Sequence, residues 1–133
     1  MNRQSYSIPL LLILLLMASA VFAVDPASLK ACYDKAATTL AIHECASQEY
    51  THYDKILNNT YRSLSAMLSK ENKAALISAQ KAWLDFRAKE CKFTGLQHEG
   101  GSMQAIDEVD CYNTLNKRRI DDLNQYIKAF GEQ

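Results

Sequence analysis

The sequence predicts an all-α protein, an antiparallel three-helix bundle with a short N-terminal helical segment, held by two disulfides. Three observations carry this expectation. Apolar residues recur at helical intervals along three long stretches, and no stretch alternates in the manner of a strand. The 133 residues hold only 4 glycines and 2 prolines, too few to break the chain into many short elements. There are also 4 cysteines, an even number suited to pairing in a small domain.

Taken in order, residues 1–23 read as a signal peptide. Arg3 precedes the apolar run "IPLLLILLLM", and small residues follow in "ASAVFAVD". Cleavage after Ala23 fits best, and cleavage after Ala20 is the alternative. The run from Ile8 to Val24 contains Pro9 and Ser19 and falls short of the ~20 residues needed to span a bilayer. No stable anchor is therefore expected after cleavage. Residues 24–133 form the expected domain, periplasmic or secreted, which opens with a possible helical turn over Pro26–Ala36.

From Thr39 to Leu68 nothing interrupts a helix. Ile42, Cys45, Ala46, Tyr53, Leu57, Tyr61, Leu64 and Leu68 recur at its period, and Thr38 or Thr39 suits the N-cap. A second helix is expected from about Lys70 to Lys92 on Ala75, Leu76, Ala79, Trp83 and Phe86. "TGLQHEGGS" is the one clear loop, and Ser102 is expected to cap the third helix. That helix carries Ile106, Val109, Tyr112, Ile120, Leu123, Ile127 and Phe130 and stops at Gly131.

Residues 1–23 hold one arginine and no acid, so the remaining domain has 14 Lys/Arg against 15 Asp/Glu. That balance excludes a nucleic-acid binder working by bulk charge, and "NKRRI" lacks an aromatic platform. Two disulfides are expected among Cys32, Cys45, Cys91 and Cys111. The sequence leaves three pairings open. Cys32–Cys45 with Cys91–Cys111 is preferred because each closes a short loop between consecutive segments, although geometry also permits Cys45–Cys91. No metal or cofactor is expected, since no C-x-x-C or H-x-x-x-H spacing occurs and His43 and Cys45 sit about 200° apart on a helix.

Gln80, Trp83, Arg87 and Cys91 share one helical stripe. A turn near Ser69–Lys70 sets Asp54 opposite Arg87, Tyr61 opposite Gln80, and Asn58 near Trp83. The favoured reading is a polar layer that fixes helix register. The other is a binding face anchored by Trp83 and Arg87. No nucleophile, base and orienting group converge, so no enzyme is expected.

From Phe93 through Asn116 there is no lysine or arginine, while Glu99, Asp107, Glu108 and Asp110 are present. Acids near a helix start are favoured by its dipole. The competing reading is an acidic loop that docks a cationic protein, with Gly95, Gly100, Gly101 and Ser102 allowing close backbone approach.

The order "C…C-x₄-Y-x₃-D-x₂-LN-x₂-Y", "AQ-x-AW-x₂-FR-x₃-C", "GGS…C" and "NKRR" resembles the LprI-type lysozyme inhibitor family. The resemblance covers Cys32 to about Leu123. Cys45, Tyr50, Asp54, Leu57, Asn58, Tyr61, Gln80, Trp83, Arg87, Cys91, Gly100, Gly101, Ser102, Cys111 and Arg119 stand where that pattern puts them. It implies an all-helical, disulfide-bonded envelope protein that inhibits a cationic c-type lysozyme. The family's namesake is a lipoprotein with further sequence, and neither a lipobox nor that extension is present here. The expected function is therefore binding of lysozyme by the glycine-loop pole. The alternative is a non-enzymatic envelope accessory protein that uses the Trp83/Arg87 face.

Overall fold

The computed structural model describes residues 25–132, so the expected signal peptide and its cleavage site lie outside the described residues. Four α-helices follow one another: α1 (Pro26–Lys35), α2 (Thr39–Met67), α3 (Lys70–Gly95) and α4 (Gln104–Gly131). A 3₁₀ turn, Leu96–His98, lies between the last two, and no strand occurs among the described residues. None of these helices is long and apolar enough to cross a membrane.

Side chains set three of the four starts. Asp25 accepts from the backbone N–H of Ser28 at 2.8 Å, with Pro26 in the first turn, where its missing donor costs nothing. Thr38 Oγ1 accepts from Ala41 N at 3.1 Å, and Ser69 Oγ accepts from Asn72 N at 3.2 Å. The fourth start differs from expectation. Ser102 does not cap α4; Met103 occupies the cap without a side-chain bond. Gln104 instead turns its amide back and accepts from Gly100 N at 2.9 Å.

The helices pack unequally. α4 lies close along both α2 and α3, whereas the backbones of α2 and α3 stay further apart and meet through side chains such as Asp54 and Arg87. α4 runs the same way as α2, since Asn113 donates to the Ala46 carbonyl and Lys117 reaches Glu49 one turn further on. It runs opposite to α3, where Gln80 meets Arg119 and Cys91 meets Cys111. Leu57, Leu64, Leu76, Ile120 and Leu123 form the core, flanked by Tyr53, Ile56, Tyr61, Leu68, Trp83 and Ile127. Of the apolar face expected on α3, only Leu76 is fully buried. Phe86 points outward, because the inward stripe passes through Trp83 and Arg87 and leaves its neighbour on the solvent side.

Candidate functional site

One end of the helices carries both disulfides. Cys32 is joined to Cys45, tying α1 to the start of α2, and Cys91 is joined to Cys111, tying the end of α3 to the start of α4. The Cα–Cα separations are 5.7 and 5.3 Å. Between Cys91 and Cys111 the chain makes the reversal that holds the glycine-rich segment.

That segment is shorter than the sequence suggests. α3 continues through Thr94 and Gly95, and the following 3₁₀ turn leaves only residues 99–103 irregular. Gly95 is therefore a packing residue and not part of a loop. It is buried, and a Cβ there would stand 2.4 Å from Cγ of Glu108. Gly100, with φ of 74°, is the position that requires glycine's freedom, and it makes the turn. Gly101 N donates to the His98 carbonyl at 2.8 Å, and His98 Nδ1 contacts Asp107 Oδ2. The tip is thus tied to α4 by a disulfide at its base, by a His–Asp contact and by Gln104.

The acidic residues do not form one patch. Glu99 and the neighbouring Gly100, Gly101 and Ser102 are exposed at the tip. Asp107 and Asp110 line a groove of about 330 Å³ with Glu90, Thr94 and Arg118. Glu108 faces elsewhere, beside His43, Tyr50 and Tyr112, and bonds Gln104 Nε2 at 3.3 Å. Partial burial pushes the Asp110 carboxyl above its ordinary value; Glu49 and Asp107 add to this, and Lys117 opposes it. The acidic stretch therefore has basic neighbours after all, because the next turn of α4 brings Lys117 and Arg118 back to it. Tyr33 donates to Glu49 at 2.8 Å; its hydroxyl is held well above the ordinary range by burial first and Glu49 second.

Leu40, at the start of α2, is 67 % exposed at the same end, and three further apolar side chains border the tip. Phe93 is 68 % exposed, Leu96 47 % and Met103 39 %. They flank the tip on both sides. Sequence reasoning passed over them because Leu96 falls in the expected loop and Phe93 and Met103 at its two edges, outside either helix's apolar stripe. The available signal was that Phe93 and Leu96 follow Cys91 at spacings that leave the inward stripe.

The other candidate cluster is turned inward. Arg87 has a side chain only 11 % exposed, with Nη1 2.6 Å from Asn116 Oδ1 and 3.5 Å from Asp54 Oδ1. Its guanidinium carbon lies 5.0 Å from the Trp83 ring centroid and 5.3 Å from that of Tyr112. Gln80 accepts from Arg119 Nε at 3.0 Å instead of meeting a polar group on α2. Asn58 bonds within its own helix, to the carbonyl and carboxylate of Asp54, while Tyr61 borders Gln80 across a shallow groove. Arg87 Nε, Asn113 Oδ1 and Asn116 Nδ2 are buried without a partner among the described residues. Asn113 and Asn116, which the sequence reading did not single out, sit at helical spacing with Ile106, Ile120 and Leu123, and that seam was the signal for them.

Among the described residues no group of three or more His, Cys, Asp or Glu is arranged to hold a metal ion. Fold and site together define a small helical, disulfide-bonded domain with exposed apolar residues around the tip at the disulfide end. The sequence profile of the lysozyme inhibitor LprI family matches residues 32–123, and the chain belongs to that family. It is also similar to an uncharacterized protein of Rhizobium meliloti, 29% identical over 108 residues that make up 71% of this chain and 78% of that relative. No solved structure matches.

Proposed function

We propose that this protein is an exported inhibitor of a cationic c-type lysozyme, acting by binding and not by catalysis. It is delivered to the periplasm or beyond by a signal peptide cleaved after Ala23. Its three long helices form an antiparallel three-helix bundle that presents the tip at the disulfide pole. The observation that carries this reading is the exposure of Phe93, Leu96 and Met103 around a tip that is tied down on both sides. Aromatic residues and Met are enriched where proteins meet, and a tip already ordered loses less freedom on binding. Glu99 and the Asp107–Asp110 groove supply negative potential that favours encounter with a basic enzyme. The Trp83/Arg87 face fits a partner less well, because its guanidinium is already surrounded by Asn116, Asp54 and two rings.

The deciding experiment adds the protein lacking residues 1–23 to c-type lysozyme in a cell-wall lysis assay. Inhibition is expected, and Phe93→Asp should weaken it at least tenfold with the thermal midpoint unchanged. Absence of both inhibition and binding at micromolar concentration sinks the proposal for that lysozyme class.

A further inference from the structure

We propose that the end of the molecule away from the disulfides holds a binding site for a single-chain amphiphile with a carboxylate head, of the fatty-acid type. A groove of about 280 Å³ runs there between α3 and the second half of α4, over a floor contributed by α2. Its walls are mainly apolar, with Leu64 beneath, Tyr126 and Phe130 along α4, and Asn72 as the one uncharged polar side chain apart from the Tyr126 hydroxyl. On α3 the facing positions are Ala75 and Ala79, whose small side chains leave the space open.

Arg119 is the one charged residue in the lining among the described residues. It is only 8 % exposed. Its Nε donates to Gln80, and its guanidinium carbon stands 5.7 Å from the Trp83 ring centroid. No carboxylate forms an ion pair with it among the described residues. A guanidinium has five N–H donors, and Gln80 takes one. A buried cation without a counter-charge is unfavourable, and the group that best complements a guanidinium is a carboxylate accepting two parallel bonds.

The position of the charge sets the shape of the ligand. Arg119 lies at one end of the lining, and Phe130 lies about 16 Å further along α4 at the helical rise. An anionic head at Arg119 therefore places an apolar tail along Tyr126 and Phe130. The volume is at the small end of ligand pockets, which fits one chain and not a two-chain bilayer lipid. This site is independent of lysozyme binding, since it occupies the opposite end of the helices.

The test titrates the purified protein with dodecanoate, below the concentration at which it forms micelles, and follows the fluorescence of Trp83, the chain's only tryptophan. A saturable change with one-to-one stoichiometry is expected. Dodecanol, which has the same tail without the charge, should bind at least tenfold more weakly. Arg119→Gln should weaken dodecanoate at least tenfold. Ala75→Phe, which fills the groove without touching the guanidinium, should do the same while circular dichroism shows the helices intact. If Arg119→Gln does not fold, Ala75→Phe decides alone. No saturable change, equal affinity for dodecanol, or undiminished binding by Ala75→Phe overturns the proposal. A stronger response to phosphatidylglycerol vesicles than to dodecanoate also overturns it, in favour of a membrane surface.

Discussion

The two ends of this molecule are stabilised by different means. At the disulfide end, two covalent links and a layer of paired polar groups fix the chain, and apolar side chains are left facing solvent. Toward the α2–α3 turn there is no cross-link. Order there rests on apolar packing, with Leu57, Leu64, Leu76, Ile120 and Leu123 at its centre. Apolar side chains face solvent at both ends, Phe93, Leu96 and Met103 where cross-links hold the chain and Met67, Tyr126 and Phe130 where packing does, so what the cross-links add is a fixed backbone beneath the exposed residues.

The comparison is broken most directly in the apolar core. Leu123 is fully buried, and Leu123→Ala should lower unfolding free energy by about 2–5 kcal/mol. A loss under about 1 kcal/mol in urea titration would mean that the core is not what holds that end. Replacing Cys91 and Cys111 together by serine should cost about 3 kcal/mol, for a link spanning 20 residues. It should also loosen the tip, so hydrogen exchange over residues 96–103 should quicken far more than at Leu64.

A smaller effect separates the polar layer from the surface. Arg87→Ala leaves the Asn116 carbonyl oxygen without its donor and should cost about 1–3 kcal/mol. Lys89 has an exposed partner, Asp85, on its own helix, and Lys89→Ala should change stability by no more than about 0.5 kcal/mol. In double-mutant cycles Arg87 should couple more strongly to Asn116, at 2.6 Å, than to the half-exposed Asp54 at 3.5 Å. Equal coupling would place the register-fixing contact on α2 instead.

The smallest effect depends on pH. Asp110 has a folded-state pKa above its ordinary 3.8, so the folded protein binds its proton more tightly than the unfolded chain does. Its contribution is neutral below both values. It turns unfavourable as pH rises through that window and stays so at neutral pH. Because Asp110 is exposed and solvent screens its neighbours, Asp110→Asn should stabilise the protein only slightly at pH 7, and the gain should vanish below the ordinary carboxylate range. Thermal midpoints of the two proteins under both conditions check this.

How far the sequence could be read follows the same division. The long helices were legible, because periodicity and caps such as Thr38 are local properties; α2 ends within one residue of where its pattern stops. The partners of the polar stripe were not. A tight turn predicts how α3 meets α2, but α4 supplies Asn116 and Arg119, and its register depends on Cys91–Cys111 and on Gly95 admitting Glu108. The candidate site suffered from a different gap. Composition shows Phe93 and Leu96 to be apolar, but only packing decides which apolar residues are left outside.

The position of α4 also bears on when the chain can fold. It is the last helix in sequence, yet it contacts both other long helices, and its bonds to Ala46 and Glu49 span 67 and 68 residues. A chain that emerges from its N-terminus can form α1, α2 and their disulfide early. It cannot close its core until the final helix arrives. The unfinished chain therefore carries formed helices whose apolar faces stay uncovered until synthesis is complete.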